Sequence, residues 1–474
     1  MGFPVTPRGM TAKFGTSGLR GLAEDLIGAP SVDHVRAFVR HLKTKRLMKA
    51  GDAVGVAHDF RASSAALHEN VSQALAAEGM AEIFYGAVPT PALAFEAMRK
   101  KRASIMITGS HIPADRNGIK FYRPDGEISK ADEQAIVAGV AKLKPAKAGK
   151  ISKKEGTPEK FVARYVSAFA NKPLKGMRVG VYQHSTVARD MLVSLLEKAG
   201  AEAVALARSD VFIPVDTEAV SNETLALIKG WCAGGRFDAI VSADGDGDRP
   251  LVADEKGQVL RGDLVGLITA RFLKAQTVVT PITSNSGLDA HMKKPAIRSK
   301  VGSPFVIDEM LKAKKRAAKA IVGFEANGGF FTLSNFKLGN GTFTALPTRD
   351  CFLPILAILA AARKAKRPVS GFAAGFALPV ALADRLENFP LTSSQSLMSR
   401  LQDNAALADF FGPFGTMAKV DRLDGLRVML NDSSIIHLRP SGNAPEFRVY
   451  VEAKTQNEAE KLLKAALARI ASAR

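Results

Sequence analysis

Three aspartates recur at alternate positions in Asp244-Gly-Asp-Gly-Asp-Arg249, with glycine between them and arginine after. In extended backbone alternate side chains point the same way, so Asp244, Asp246 and Asp248 can converge on one point. Carboxylates held that close repel one another unless a cation sits among them. Donors that are all oxygen suit a hard ion such as Mg2+. The apolar run Phe237-Asp-Ala-Ile-Val241 predicts a buried strand, which puts the loop at a strand's carboxyl end, where open α/β sheets bind ligands. A calcium EF-hand would also use Asp244, Asp246, Asp248 and Glu255, at loop positions 1, 3, 5 and 12. Against it stand Arg249 at position 6, where that loop needs glycine, and a strand where it needs a helix.

Other stretches carry reactive or anion-holding groups. Residues 103–108 (ASIMIT) predict another buried strand, running into Gly109-Ser110-His111-Ile112-Pro113. A serine between glycine and histidine at a strand end is a candidate nucleophile, although an ordinary polar turn has the same composition. Asn117-Gly118 marks a tight turn, followed by an available Lys120. In Lys13-Phe-Gly-Thr-Ser-Gly-Leu-Arg20-Gly21, three glycines, two hydroxyls and two cations suit a loop that holds an anion through backbone N–H groups and Arg20. Near the C-terminus, Arg439-Pro-Ser441-Gly-Asn443-Ala-Pro445 lies between strands expected at 435–438 and 447–453. With Arg448, its Arg439, Ser441 and Asn443 suit a phosphate dianion, bound bidentately by arginine.

The elements that must position these groups alternate. Strand 52–57, helix 62–79, strand 81–85 and the helix start after Pro89-Thr90-Pro91 read as a doubly wound α/β pattern. Strand 177–182 and helix 187–199 open a second unit, closed by strand 238–242. A third begins near Gly262-Asp263, with strands at 276–280 and 319–322. The segments ASIMITGSH (103–111), DAIVSADGD (238–246) and KAIVGFEAN (319–327) each join a short apolar strand to a polar loop. Three equivalent strand ends could bring Ser110, the aspartates and Glu325 together. Boundaries are expected in the Lys/Gly/Pro-rich stretch 142–160 and near 367–378. The tail is α+β, with a last helix burying Ala459, Leu462, Leu463, Ala466, Leu467 and Ile470.

Bulk composition excludes several classes. At 474 residues and 46% hydrophobic content, a folded protein of about three domains is expected. No apolar run approaches the ~18 residues of a membrane span, and the first residues show no secretory h-region. Cys232 and Cys351 are too few for a disulfide framework or a cysteine metal site, which favours a reducing cytoplasm. The net charge of +20 invites nucleic acid, but the lysines cluster in tracts such as 142–154 and 312–319. Aromatic stacking residues are sparse and no nucleic-acid-binding signature is present. A basic surface serves a phosphorylated metabolite as well.

Four loops, in order and over nearly the whole length, make the chain resemble the α-D-phosphohexomutases, the phosphomannomutase/phosphoglucomutase family. They are Thr108-Gly-Ser-His-Ile-Pro113, Asp244 to Arg249, Gly323-Phe-Glu-Ala-Asn327 and Arg439-Pro-Ser-Gly-Asn-Ala-Pro445. The resemblance implies four domains around a central cleft: three related mixed α/β sandwich-like domains at 1–150, 151–257 and 258–370, and a smaller α+β phosphate-binding domain at 371–474. It implies a phosphoserine at Ser110 that exchanges phosphate with a hexose phosphate through a hexose 1,6-bisphosphate, which also serves as activator. Mg2+ would be held by Asp244, Asp246, Asp248 and the phosphoserine. Lys120 would act as general acid/base with His111 assisting, and Arg20 and Arg249 would stabilise charge. Glu325 and Asn327 would read sugar hydroxyls, while Arg439, Ser441, Asn443 and Arg448 would grip the phosphate that is not reacting. The enzyme would be a monomer or homodimer without nucleic acid or membrane.

The family's serine loop reads Thr-Ala-Ser-His-Asn-Pro, so Gly109 and Ile112 are departures. Its sugar loop reads Gly-Glu-x-Ser-Gly, so Phe324 is inserted and Asn327 stands for serine. Sugar choice is therefore open. Mannose and glucose phosphates are expected ahead of glucosamine phosphate, with a metal-dependent sugar phosphatase or a non-catalytic anion-binding protein as the readings outside the class.

Overall fold

The sequence 53–58, Ala-Val-Gly-Val-Ala-His, has β-branched residues and no Asp, Glu, Lys or Arg, the composition of a strand buried on both faces. In the computed structural model it is Ala53–His58, an interior strand of the first sheet. The structure describes residues 12–15, 18–145, 149–169, 171–339, 341–441 and 445–473. Ala53–His58 runs parallel to Ser104–Ile107 on one side and to Ala81–Ala87 on the other. Lys153–Glu155 adds a further parallel strand beyond Ala81–Ala87. Beyond Ser104–Ile107 the sheet turns antiparallel, through Arg116–Arg123, Gly18–Leu22 and Lys13–Gly15. Helices Ala29–Thr44 and Ser64–Ala77 pack Val35, Phe38, Leu42, Leu67 and Val71 into one core with Val54, Ile105 and Phe121.

A second sheet has the order Glu202–Arg208, Arg178–His184, Ala239–Ala243, Pro250–Asp254, the last antiparallel to its neighbour. A third pairing is wholly antiparallel: Ile321–Phe324 with Phe330–Thr332, and that strand with Leu346–Asp350. The described residues divide into two compact units, Met1–Val278 with Gly302–Gly375, and Val279–Val301 with Phe376–Arg474. All three pairings just described lie in the first unit. The second unit carries an antiparallel sheet in the order Val380–Leu386, Phe447–Ala453, Ile435–Pro440, Leu426–Leu430, Met417–Asp421. Phe447, Val449 and Val451 alternate inward and pack with Ala459, Ala466 and Ile470 of helix Gln456–Ser472. Leu462, Leu463 and Leu467 are partly buried against the same core, as the helical period predicts. The fold is thus mixed α/β with a separate α+β part. Among the described residues no helix is long and apolar enough to cross a membrane.

Registers correct several expectations. The polar loops after the three repeated strands each return as an antiparallel strand. Ile107 pairs Ile119, Ala243 pairs Pro250, and Phe324 pairs Phe330. The serine, aspartate and glutamate loops are therefore hairpin connections at the carboxyl ends of their strands. Asn117-Gly118 is not a turn but part of strand Arg116–Arg123. A Cβ on Gly118 would meet the Leu19 carbonyl oxygen at 2.6 Å and that of Thr108 at 2.8 Å, so glycine there serves close strand approach. Arg20 sits in strand Gly18–Leu22 rather than in a loop, while Thr16 and Ser17 lie outside the described residues. Gly323 and Phe324 belong to the strand, and Phe324 is wholly buried. Arg439 and Pro440 likewise end strand Ile435–Pro440, a position where a missing N–H is tolerated.

Helix Lys130–Val140 shows how local sequence ties the first sheet to its helices. Ser129 and Asp132 form a reciprocal capping box. Asp132 also pairs with His41 Nε2 at 2.7 Å and accepts from Arg123 Nη1 at 3.1 Å. Burial works against ionisation of Asp132, but hydrogen bonds from His41, Ser129 and Arg123 outweigh it and hold the carboxyl well below the usual carboxylate range. The folded-state value lies below the unfolded one of about 3.9. Its stabilising contribution is therefore complete above about pH 5 and is lost as pH falls through the folded value. Asp132→Asn is expected to lower the local opening free energy of this helix by about 1–3 kcal/mol at pH 7, and by less as the solution is acidified. Amide hydrogen exchange of the first helical turns measures both.

Candidate active site

Ser110, three residues past the end of strand Ser104–Ile107, has an unusual conformation. Its φ of +56° is left-handed, which costs a non-glycine residue roughly 1–2 kcal/mol. Surrounding bonds enforce it. Ser110 N–H donates to Thr108 Oγ1 at 2.7 Å, and Thr108 Oγ1 donates to Asp59 Oδ2 at 2.7 Å. The buried Arg61 guanidinium donates to the carbonyls of Ser110, Ile112, Pro113 and Arg116 at 3.0, 2.6, 2.5 and 2.8 Å, and its Nε to Asp59 at 3.2 Å. A Cβ on residue 109 would lie 2.7 Å from the Arg61 guanidinium carbon. That close approach explains glycine in place of the family's alanine.

The aspartate hairpin folds back on itself. Asp244 Oδ1 accepts from the N–H groups of Asp248 and Arg249 at 3.0 and 3.1 Å, and Gly247 supplies a φ of +68°. Thr186 Oγ1 donates to the Asp244 carbonyl at 2.7 Å, and Thr90 Oγ1 to Asp246 Oδ2 at 2.5 Å. Asp244, Asp246 and Asp248 are fully buried, with ligand oxygens within 4.8 Å of one another.

The two loops meet: Ser110 Oγ donates to Asp244 Oδ2 at 2.5 Å. Lys120 is not an available surface lysine but a buried one, its Nζ 2.6 Å from both Asp246 Oδ2 and Asp248 Oδ2. Arg249 Nη1 donates to His111 Nδ1 at 3.0 Å, and its Nε stands 3.8 Å from Asp244 and Asp248. Burial, then the cations Arg249 and Arg20, push the His111 imidazole far below its ordinary value, so the ring is neutral and accepts from Arg249. Arg20 feels Arg249, Arg349, Asp246 and Asp248; burial first, then the two arginines, lower it to about 10. Burial and the two neighbouring carboxylates raise Asp244 to about 8. Asp248 goes the other way, because Arg349, Lys120 and Arg249 outweigh its burial.

Glu325 and Asn327 occupy the third hairpin. The Asn327 side-chain oxygen accepts from Gly329 N–H at 3.0 Å, so it braces the turn. Arg349, on strand Leu346–Asp350, donates through Nε to Asp248 Oδ2 at 2.9 Å and through Nη1 to Glu325 Oε2 at 3.0 Å. One unit thus assembles Ser110, His111, Lys120, Arg20, Arg249, the aspartate trio and Glu325. Arg61 and Arg349 were not singled out from sequence. Arg61 had a faint signal, since His58-Asp59-Phe60-Arg61 follows a strand; Arg349 had none.

In the second unit, Arg439 and Arg448 pair directly across neighbouring strands, and Arg385 pairs with Arg448 from the other side. Residues directly opposite share a face, so three arginines stand abreast. Arg439 Nε donates to Asp424 Oδ2 at 3.0 Å, and Arg448 Nη2 to Glu446 Oε2 at 3.3 Å. Ser441 N–H donates to the Glu446 carbonyl at 2.9 Å, closing the loop. Asn443 lies outside the described residues.

A divalent ion fits the trio. Asp246 Oδ1 and Asp248 Oδ1 are buried without a hydrogen-bond partner, a costly arrangement that a hard cation relieves.

Family profiles match the chain in three places: phosphoglucomutase/phosphomannomutase alpha/beta/alpha domain I over residues 11–147, alpha/beta/alpha domain III over 261–377, and the C-terminal domain over 386–469. A phosphomannomutase of Sinorhizobium fredii is 49% identical over 467 residues, covering 97% of this chain and 98% of the relative. One from Salmonella muenchen is 39% identical, covering 97% and 95%. A solved phosphoglucomutase/phosphomannomutase family protein from Burkholderia thailandensis shares the fold, with a TM-score of 0.74, 21% identity and 97% of each chain covered. The chain belongs to the α-D-phosphohexomutase family. It is an isomerase, a hexose phosphate mutase whose substrate is a phosphorylated hexose.

Arg61→Met would leave Asp59 buried without its cation and four loop carbonyls without their donor. It is expected to cost about 3–5 kcal/mol. Arg61→Lys is expected to recover only part, because an ammonium cannot fork to four acceptors. Thermal unfolding of the three proteins side by side provides the measurement.

Proposed function

We propose that the chain interconverts hexose 6-phosphate and hexose 1-phosphate, with mannose phosphates first and glucose phosphates second, through a phosphoserine at Ser110 and a hexose 1,6-bisphosphate. The observation that carries this reading is the 2.5 Å contact of Ser110 Oγ with Asp244 inside a buried carboxylate trio. Mg2+ held by Asp244, Asp246, Asp248 and the phosphoserine would supply Lewis-acid neutralisation of charge on the transferring phosphoryl group.

The chain's own residues do the rest. Ser110 Oγ accepts the phosphoryl group and returns it; its left-handed backbone aims the hydroxyl at the aspartate loop. Lys120, held among Asp246 and Asp248, moves the proton on the sugar hydroxyl as general acid and base. His111, neutral and hydrogen-bonded to Arg249, keeps that guanidinium directed at the loop, and Arg20 adds positive charge beside it. Glu325 accepts hydrogen bonds from sugar hydroxyls, and Asn327 shapes the turn that presents it. Arg439, Ser441, Asn443 and Arg448 are the proposed grip on a phosphate dianion. Hexose 1,6-bisphosphate is the proposed activator, the four domains are those at 1–150, 151–257, 258–370 and 371–474, and a cytoplasmic monomer or homodimer without nucleic acid is the proposed state.

Intact-mass measurement is expected to find an added phosphoryl group on a fraction of molecules, located on Ser110 and absent from Ser110→Ala. Coupled assays with mannose-, glucose- and glucosamine-1-phosphate, in Mg2+ and a bisphosphate activator, are expected to show turnover of the mannose compound at least as fast as the others. Chelator is expected to abolish that turnover and Mg2+ to restore it. Hydrolysis without isomer formation would replace the mutase with a phosphatase.

A further inference from the structure

Arg349 reaches two loops of different purpose with one planar group. Its side chain is 2% exposed, its Nε meets Asp248 at 2.9 Å and its Nη1 meets Glu325 at 3.0 Å. Both partners end hairpins whose strands belong to different sheets. The strand carrying Arg349 is anchored at its next residue: Asp350 accepts from Tyr165 Oη at 2.6 Å and from the N–H of Phe352 at 2.8 Å, where helix Phe352–Lys364 begins. Gly329 leaves room for the arginine stem, since a Cβ there would stand 2.5 Å from Arg349 Cδ. A buried guanidinium with this fixed fork defines a distance and an angle between its two acceptors, which a flexible ammonium cannot do. Asp248 is also met by Lys120 at 2.6 Å and by Arg249 at 3.8 Å. For Glu325, by contrast, Arg349 supplies the one ion pair found among the described residues.

We propose that Arg349 is a positioning residue that fixes the sugar-reading carboxylate Glu325 relative to the phosphoryl-transfer loop at Asp248. The inference rests on the mutase reading and adds to it the residue that links sugar recognition to the transfer point. One oxygen of Glu325 is committed to Arg349, so the other is presented to the sugar in one orientation. Binding of the hexose part then depends on Arg349, whereas binding of a bare phosphate does not.

Isothermal titration of the full chain with mannose 1-phosphate and with inorganic phosphate tests this, using wild type, Arg349→Met, Arg349→Lys, Glu325→Gln and the double variant Arg349→Met/Glu325→Gln. Arg349→Met is expected to weaken mannose 1-phosphate roughly 10-fold or more, the loss of one hydrogen bond to a charged group, with inorganic phosphate unchanged. The double variant is expected to bind no worse than the weaker single, because both changes break one contact. Arg349→Lys keeps the charge without the fork and guards against misfolding of the methionine variant; it is expected to move in the same direction. Unchanged sugar binding in both arginine variants, equal losses for sugar and phosphate, or additive losses in the double variant would each overturn the inference while leaving the mutase reading intact. Wild-type protein that binds no hexose phosphate would remove both.

Discussion

Three carboxylates buried on one six-residue hairpin impose the constraint that organises this site. Asp244, Asp246 and Asp248 are without exposure, and like charges so close cannot stay ionised in a low-dielectric interior without compensation. The chain supplies Lys120, Arg249 and Arg349 from separate strands and loops. Lys120 and Arg349 arrive from strands remote in sequence while Arg249 belongs to the hairpin itself, so the trio is also a tertiary junction. The division of protonation within it, Asp244 up and Asp248 down, follows from which carboxylate the cations reach. Two oxygens, Asp246 Oδ1 and Asp248 Oδ1, remain unbonded, and a divalent ion would fit that donor set.

The serine loop solves a different problem. A left-handed serine is strained and persists only if its surroundings insist on it. Here Arg61 gathers four carbonyls of the loop while Asp59 and Thr108 hold its base. The same arginine accounts for Gly109, because its guanidinium fills the space an alanine methyl would need. A departure from the family pattern thus has a local steric cause and leaves the hydroxyl aimed at Asp244. The inserted Phe324 is equally local. It is the last residue of its strand and faces the core against Gly266 of helix Gly262–Phe272, whereas Glu325 begins the loop and meets Arg349.

Repetition explains how such distant segments converge. Three strands end in three hairpins, and each hairpin carries one kind of group: the Ser110 hydroxyl, the carboxylate trio and the Glu325 carboxylate. Antiparallel return, rather than a crossover helix, keeps every loop short and both of its ends pinned by strand pairing. Lys120 exploits the return strand itself. It comes back from the serine loop on Arg116–Arg123 and so reaches Asp246 and Asp248, in the same trio whose Asp244 meets Ser110.

Much of this was written in residue type and spacing. Alternate aspartates dictate a convergent oxygen cage because strand geometry sends alternate side chains one way. Apolar runs dictated the buried strands, and the period of the last helix dictated its inward face. Those are properties of a few neighbouring residues and need no fold. What only the folded chain decided are relations between segments far apart. Gly118 looked like a turn because glycine after asparagine usually makes one; its actual reason is the pressure of two adjacent strands. Lys120 looked accessible, and only the meeting of two hairpins buried it. Arg61 gave only a faint signal and Arg349 none, since an arginine in or just after a strand has no local signature, and its role exists only when acceptors from other loops come within its fork. Hydrogen-bond partners separated by a hundred residues are set by packing, and packing is a property of the whole.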